Sequence, residues 1–512
     1  MTTPIVRLIL GDQLNENHTW FSSPRNDVTY ALMEILPETT YVTHHIQKLC
    51  AFFAAMRAFA DGLRSRGHRV VYIPLDDPEN HQSFKGNVEK LIADSCFKRF
   101  EYLLPDEMRL DRELARMAKT LPIPSQVHDT EHFLTNRDSV ARFFEGKKLF
   151  LMESFYRSVR KEFGFLMEGN KPLGGKWNYD ILNRARYDEA VPIPEPVVFE
   201  NDVTGIVKMI DAKKVSHFGE IVPERLIWPI SREQALAVLD TFLREGLPHF
   251  GTYEDAMTVR SWSLFHSRLS FALNTKMLSP QEIINAAIEA WEERKDDIEI
   301  QQIEGFVRQI CGWREYMRGM YWKLMPEFAA MNFFDQSAPL PHYYWDGETK
   351  MACLRHVLSQ SLTQAYAHHI QRLMVAGNFA LLSGIDPDEV DRWYLGVYID
   401  AVEWVEKPNT RGMSQFADGG IIATKPYVSS ARYIHSMSDY CDACHYDWQR
   451  RHGENACPFN SLYWEFLERH RGLLASNPRM GLVYHSLDRM DKQEVAAIMR
   501  QAEYFRSHLE TL

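Results

Sequence analysis

The sequence predicts an α/β N-terminal domain built on a parallel, Rossmann-like sheet, followed by an all-α C-terminal domain. Two observations predict this fold class. Between residue 5 and about residue 130, short apolar runs alternate with amphipathic helical patterns, and from about residue 225 onward apolar residues recur with the 3.6-residue period of helices. The length of 512 residues also exceeds what one hydrophobic core usually organises.

The N-terminal segments follow one another in a regular order. They are IVRLIL, VTYALMEIL, a long helix from Tyr41 to Arg66, RVVYIPL, a helix near residue 90, RFEYLLP, a further helix and SQVHDTE. Strand, helix and strand at this spacing indicate parallel strands joined by crossover helices. GDQL follows the first strand where a G-x-G-x-x-G fingerprint would stand, so the sequence does not indicate a dinucleotide site there.

Loops at the carboxyl ends of such strands are the expected ligand crevice. Asp12, Glu34, Glu38 and Tyr41 lie near the ends of the first two strands. They are either ligand contacts or ordinary solvated loop residues and helix caps.

Residues 136–224 are expected to form a connector that crosses the surface, because GNKPLGGKWNYD and AVPIPEPVVF contain Gly and Pro that preclude regular structure. This segment is rich in basic residues, which form either a rim that contacts phosphates or simply a solvated face. They are Arg157, Arg160, Lys161, Lys171, Lys176, Arg184 and Arg186. The expected domains are residues 1–135, 136–224 and 225–512.

Composition and charge narrow the class of protein. The net charge of −11 argues against a protein that coats nucleic acid through its overall charge, so any nucleic-acid site must be focal. The start of the chain has no basic segment and cleavage site typical of a signal peptide, and no apolar run approaches the roughly 20 residues of a membrane span. We expect a cytoplasmic protein that does not enter membranes.

Three of the seven cysteines lie close together near the C-terminus. Cys441, Cys444 and Cys457 supply three thiolates, so a metal or cluster would need a fourth ligand. Cys353 is the first candidate, because it opens a long helix whose N-terminal dipole lowers the pKa of a thiol. His445 offers an alternative, as does His452.

At this stage the site could hold either an iron–sulfur cluster or zinc. The Cys457-Pro458 ending favours the iron–sulfur cluster. The other three cysteines, Cys50, Cys96 and Cys311, are expected to be small buried apolar residues.

Two further patterns in the helical half indicate a pocket. His368, His369 and Arg372 occupy adjacent helical turns in AYAHHIQRLMVAGNF, although single helical histidines usually have only structural roles. The Ser and His residues of SWSLFHSRLSFALN could contact phosphates, or could simply be helix caps.

Aromatic and acidic residues alternate around the same helices. The aromatic residues are either part of the hydrophobic core or an electron relay. They are Trp345, Trp393, Tyr394, Tyr398 and Trp404, with Asp400, Glu403 and Glu406 between them.

Taken together, several motifs resemble the photolyase and cryptochrome superfamily, and within it the bacterial iron–sulfur (6-4) photolyases, the FeS-BCP branch that includes cryptochrome B-like proteins. They are GDQL, GFVRQICGWREYMRGMYW, AYAHHIQRLMVAGNFALLSGIDP, WYLGVYIDAVEWVEKPNTRGMSQFADGG, TKPY and MSDYCDACHYD through NACPFN. The resemblance covers nearly the whole chain. It implies an N-terminal antenna domain and a C-terminal FAD-binding domain.

The resemblance also implies cofactors and the residues that hold them. A 4Fe-4S cluster would be bound by Cys353, Cys441, Cys444 and Cys457. The antenna 6,7-dimethyl-8-ribityllumazine would lie at Asp12, Glu38 and Tyr41. FAD would lie at Ser267, Leu269, Ser270, Asn274, Arg372, Asn378, Asp400 and Glu406. Mg²⁺ could assist at acidic residues such as Asp180.

The activity implied is light-dependent repair of (6-4) pyrimidine–pyrimidone photoproducts in UV-damaged DNA, with the lesion flipped into the pocket of a monomeric enzyme. The implied catalytic residues are His368 and His369, with His369 as the proton donor. The implied photoreduction chain comprises Trp393, Tyr394 and Trp345, and Lys407 and Arg411 would hold flanking phosphates.

Two alternatives remain at this point. A cryptochrome-like blue-light photoreceptor would share the fold and the cofactors without repairing DNA. A cluster-bearing nucleic-acid-binding module, comparable to the primase large subunit, would leave the flavin motifs and the α/β domain unexplained.

Overall fold

A computed structural model describes residues 4–512, and its N-terminal part is a five-stranded parallel sheet. The strands are β1 Ile5–Leu8, β2 Val28–Met33, β3 Arg69–Ile73, β4 Arg99–Leu103 and β5 Ser125–His128. Their order across the sheet is β3-β2-β1-β4-β5. This arrangement confirms the predicted parallel α/β domain.

The helices of this domain cover both faces of the central strands β1 and β2, whose alternate residues belong to two different apolar clusters. They are Pro37–Thr40, Ile46–Ser65, Phe84–Asp94 and Met108–Thr120. The long helix begins at Ile46 instead of Tyr41, because His44–His45 pairs as a short parallel strand with His217–Phe218. Local periodicity does not reveal that distant pairing.

The predicted connector is not confined to the surface. It contains the helices Ser139–Phe143, Met152–Phe163 and Thr204–Ala212. Tyr156 and Arg160 are almost completely buried, and the Arg160 guanidinium donates to the carbonyls of Phe165 and Leu166 at 3.1 and 2.6 Å. Arg160 is therefore structural and does not belong to a phosphate-contacting rim.

The rest of the chain is helical, as predicted. Its α-helices are Arg232–Thr241, Leu247–Phe250, Ser270–Asn274, Pro280–Glu293, Ile300–Val307, Glu315–Leu324, Ala352–Gln364, Asn378–Ser383, Pro387–Val397, Glu403–Lys407, Ala431–Met437, Pro458–Arg469, Arg471–Leu474, Gly481–Asp488 and Lys492–Ser507. No helix in residues 4–512 combines the length and hydrophobicity needed to cross a membrane.

The two halves share an apolar interface. The rings of Phe52, on the long N-terminal helix, and Phe271, in the helical half, meet edge to face at 5.4 Å. A Cβ on Gly396 would collide with the Thr43 carbonyl, so glycine lets a C-terminal helix pack directly against the N-terminal domain. The interface holds the cavities of the two halves in fixed positions.

Candidate functional site

A large cavity, with a volume of about 750 Å³, lies among the helices of the C-terminal half. This size lies within the range of cofactor and substrate pockets. Three π-helical segments, Arg308–Arg314, Gln371–Gly377 and Pro408–Ser414, contribute to its wall. Such segments are rare and recur at functional sites, because the extra residue redirects side chains.

The cavity brings together seven of the eight residues implied for flavin binding. They are Ser267, Leu269, Ser270, Asn274, Arg372, Asp400 and Glu406. Asn378 lies behind the wall, where its side-chain amide donates to the Ser429 carbonyl at 3.0 Å and accepts from the Ser429 backbone at 3.2 Å. Ser429 itself lines the cavity.

Arg372 and Asp400 form the central ion pair of the cavity. Arg372 Nη2 lies 3.0 Å from Asp400 Oδ1, and the guanidinium covers the Tyr398 ring at 3.7 Å. Burial raises the pKa of the nearby Glu406 carboxyl, which accepts a hydrogen bond from Thr410 at 2.6 Å. The wall thus offers fixed donors and acceptors to a polar planar ligand.

Two arginines that sequence patterns missed also line the cavity. Arg268 and Arg314 are largely buried, and neither has a carboxylate at ion-pair distance in the described part of the chain. Burial lowers the pKa of each to about 10, which reflects the cost of an uncompensated buried cation. An anionic group, such as a diphosphate, would compensate both charges.

Three histidines meet at one wall of the cavity. His266 and His368 stack at 4.4 Å with an interplanar angle of 14°, and His369 lies edge-on to His266 at 5.6 Å. Burial lowers the pKa of His266 and of His368 well below the ordinary value. The side chain of His369 is 44% exposed, with Nε2 3.7 Å from Asp255 Oδ1.

Basic residues also lie among the cavity-lining side chains: Arg184, Lys425 and Arg479. Burial and the neighbouring guanidiniums lower the pKa of Lys425. Lys407 and Arg411, expected to contact phosphates, instead form buried ion pairs with Asp391 at 3.3 and 2.9 Å. Arg411 also pairs with Asp388, so two carboxylates face the two cations, and neither cation lines the cavity. These contacts argue against the expected phosphate role.

Two of the three aromatic residues predicted as a photoreduction chain are in contact with each other, and the third is not in contact with them among the described residues. Tyr394 lines the cavity and its ring lies 5.3 Å from Trp393, whose ring lies 5.2 Å from Tyr344. Trp345 is 39% exposed, and its ring meets Phe218 at 5.0 Å. Tyr344, which the sequence did not single out, is the next ring in contact with Trp393.

A second cavity, of about 110 Å³, lies in the N-terminal half at the carboxyl ends of β1 and β2. Asp12, Glu38 and Tyr41 all line it. The buried His44 also lines it, and neither of its ring nitrogens has a hydrogen-bond partner among residues 4–512. A ligand with donors and acceptors would satisfy these nitrogens.

The four predicted cluster cysteines face one small buried cavity. Cys353, Cys441, Cys444 and Cys457 line it, all as free thiols, whereas His445 and His452 do not reach it. Burial and the adjacent sulfurs raise the pKa of Cys353 well above the usual value. Four convergent sulfurs fit a tetrathiolate metal or cluster, whose positive charge would stabilise the thiolates.

The remaining cysteines only partly follow expectation. Cys50 and Cys311 are buried, but Cys96 is exposed.

Hydrogen bonds connect the cysteine site to the histidines. Tyr440 lines the cysteine cavity, and its hydroxyl accepts from Gln371 Nε2 at 3.0 Å. Gln371 Oε1 in turn accepts from the His368 backbone at 2.9 Å. The helix Ala352–Gln364, which carries Cys353, ends just before the histidines.

The possible magnesium residue, Asp180, is already in contact with cations. Its carboxylate pairs with Arg184, and Arg308 Nη1 lies 3.5 Å away. A divalent ion at this carboxylate would have to displace one of them.

Known proteins share both the sequence and the fold of this chain. The chain is 43% identical to the (6-4) photolyase of Agrobacterium fabrum over 489 residues, which are 95% of this chain and 96% of that protein. The family model of deoxyribodipyrimidine photo-lyase-related proteins matches residues 7–226.

Two solved structures share the fold. A bacterial class III photolyase from Agrobacterium tumefaciens has a TM-score of 0.59 at 14% identity, covering 100% of this chain and 98% of its own. The Synechocystis sp. PCC6803 cryptochrome has a TM-score of 0.55 at 12% identity, covering 98% and 99%.

The fold is therefore the one shared by photolyases and cryptochromes. Within that class, the near-full-length identity shows that the chain belongs to the (6-4) photolyase family. Membership implies FAD as the cofactor.

Proposed function

We propose that this protein repairs (6-4) photoproducts in DNA under blue or near-UV light. The observation that carries the proposal is that one cavity joins the residues implied for flavin binding to the histidine pair implied for the lesion. The full-length identity to a (6-4) photolyase supports the same substrate.

Different cavity residues would bind different parts of FAD. Arg268 and Arg314 are buried cations suited to the diphosphate, and the Arg372–Asp400 pair and Glu406 are suited to the polar edge of the ring. When bound, FAD supplies the photoexcited electron donor.

His369 is the better placed of the two histidines to give a proton to the substrate. It is exposed to the cavity, whereas His368 is 5% exposed and stacked on His266. If His369 is protonated, the nearby negative charge of the Asp255 carboxylate would stabilise the imidazolium. His368 acts in this proposal by holding its neighbour in position.

The other two cofactors have separate sites. The cavity at Asp12, Glu38 and Tyr41 is proposed for the ribityllumazine antenna. The four cysteines are proposed for the 4Fe-4S cluster, since their number and convergence fit it and the family branch supports iron over zinc. Mg²⁺ at Asp180 would require Arg184 or Arg308 to move.

The substrate would enter by flipping. Extruding the damaged nucleotides costs a few kcal/mol of unstacking, and this cost is smallest where stacking is already disrupted. Lys425 and Arg479 would contact phosphates beside the flipped nucleotides, which concentrates positive charge on an otherwise acidic protein. Arg184 would join them only by leaving its ion pair with Asp180.

A repair assay tests the proposal. Holoprotein is incubated with an oligonucleotide that contains one (6-4) photoproduct, in light and in darkness, and with a matched cyclobutane-dimer oligonucleotide. Light-dependent restoration of the (6-4) substrate alone is expected. Photoreduction of the flavin with no repair of either lesion would instead support the photoreceptor alternative.

Removing either buried arginine should weaken flavin binding. Arg268→Met and Arg314→Met are each expected to lower FAD affinity on the order of 10- to 100-fold, since each removes charge-assisted hydrogen bonds. The exposed Arg260, paired with Glu189, provides the control Arg260→Met. Fluorescence of released flavin measures the loss.

A second measurement separates ligand binding from structure. The two guanidiniums have no carboxylate partner without a ligand, but they donate to the carbonyls of Val197 and Leu273. Arg268→Met and Arg314→Met should therefore reduce the thermal stability of the apoprotein much less than they reduce FAD affinity. Equal loss of apoprotein stability and of flavin affinity would mean that the arginines serve only the fold.

Removing the positive charge of Lys425, which lines the cavity, should weaken binding to damaged and undamaged DNA alike. Lys425→Met is expected to lower the slope of log affinity against log salt by about 1, because one phosphate contact is lost. Lys119→Met, at an exposed position of the N-terminal domain, is the control. Fluorescence anisotropy with damaged and undamaged duplexes measures both slopes, and an unchanged slope in Lys425→Met excludes the contact.

A further inference from the structure

We propose that His266, His368 and His369 form a binding site for a divalent late transition-metal ion such as Zn²⁺, Ni²⁺ or Cu²⁺, separate from the four-cysteine site. This three-histidine site lies at the wall of the main cavity. His266 enters it from the segment before the helix Ser270–Asn274, and the other two residues follow the helix Ala352–Gln364.

The three imidazoles are close enough to share one ion. One nitrogen of each ring lies within 4.8 Å of the chosen nitrogens of the other two. Zinc–nitrogen bonds measure about 2.0–2.1 Å, so two nitrogens on one ion lie at most about 4.2 Å apart. An imidazole binds an ion in the plane of its ring, so binding would also require His266 to tilt out of its stack on His368. Rotation of the half-exposed His369 side chain would supply the third nitrogen.

Two of the nitrogens are buried without hydrogen-bond partners among the described residues. They are His266 Nε2 and His368 Nδ1. An unpaired buried polar atom is costly, and a bound ion would satisfy both at once. Burial also favours the neutral imidazole, which is the form that binds metals.

The donor set determines the class of ion. Three imidazoles favour zinc, copper or nickel over magnesium and calcium, which prefer oxygen ligands. Asp255, 3.7 Å from His369 Nε2, could orient that ring as metal-bound histidines usually require. An open fourth position would face the cavity.

The binding itself does not depend on the repair activity. Its consequence does rest on the proposed function: an ion on His369 would block proton transfer and inhibit repair. Binding is therefore tested in darkness and without DNA, so that failure of one proposal leaves the other standing.

The test is equilibrium dialysis of the dark holoprotein against ZnCl₂, with zinc and iron measured together by mass spectrometry. The wild type should gain one zinc per chain with its iron content unchanged. His266→Asn and His369→Asn should each weaken that binding at least on the order of 10-fold. His249→Asn, which changes a histidine outside the cavity lining, should bind zinc like the wild type.

A spectroscopic measurement on the wild type avoids dependence on folded variants. Pulsed electron paramagnetic resonance of added Cu²⁺ should show coordinated imidazole nitrogens from at least two histidines. Absence of imidazole coupling, or zinc uptake that is equal in wild type and His266→Asn, overturns the proposal. Zinc uptake accompanied by an equal loss of iron also overturns it, because the cysteine site would then be the receptor.

Discussion

His369→Ala is expected to lower the rate of (6-4) repair on the order of 100-fold or more while the flavin is still photoreduced. A positioned general acid contributes about 10²–10⁴ to a rate. His369 is exposed to the cavity, whereas the proposed photoreduction chain consists of other residues: Tyr394, which lines the cavity, and the buried Trp393 in contact with it. Losing the imidazole therefore removes the proton donor and leaves the electron path intact.

Two matched measurements make this result specific. Repair yield per absorbed photon and the rate of flavin photoreduction are recorded on the same samples of wild type, His369→Ala and His249→Ala. The last variant removes a histidine that lies beside Phe265 and outside the cavity lining. If His369→Ala repairs at the wild-type rate, the proton must come from another group.

Cys353→Ser is expected to remove the metal cluster and to destabilise the helical domain. A 4Fe-4S cluster needs four thiolates, and a serine hydroxyl is a poor replacement, so iron should fall from about four atoms per chain to a small fraction. Metal binding contributes directly to folding free energy, because it would join the three segments that carry Cys353, Cys441 with Cys444, and Cys457. The thermal midpoint should fall in parallel.

The exposed Cys96 provides the matched control, since Cys96→Ser changes a sulfur outside the cysteine site. Iron, zinc and acid-labile sulfide are measured together, so that a zinc site would also be recognised. Because Gln371 links Tyr440 to His368, the variant should also disturb the histidines, seen as a loss of repair greater than the loss of flavin. A Cys353→Ser protein with full iron and full flavin would contradict the assignment.

Local sequence patterns predict the elements but not their ends. Apolar runs and periodicity are sufficient for strand β1 and for the existence of the long helix that begins at Ile46. They place the start of that helix too early, because the short pairing of His44–His45 with His217–Phe218 depends on a segment about 170 residues away. They place Arg160 on the surface for the same reason: its burial depends on distant neighbours.

The candidate site is predictable only in part. The family motifs identify most of the residues that line the large cavity, and the cysteine spacing alone indicates a metal site. The ion pairs of Lys407 with Asp391, and of Arg411 with Asp391 and Asp388, argue against their assignment to phosphates. The sequence does not reveal these pairs. Arg268 gives no signal in sequence, since an unpaired cation differs from a paired one only in its surroundings.

Periodicity and spacing alone establish the fold class, the order of elements and the chemical types available: thiols, imidazoles and guanidiniums. They can do so because they are local properties of the chain. Long-range packing, in contrast, decides that Cys353 joins three cysteines about 90 to 100 residues away, and that His266 joins His368 and His369. These groupings are not local, because burial brings distant residues together and sets the charge around each one.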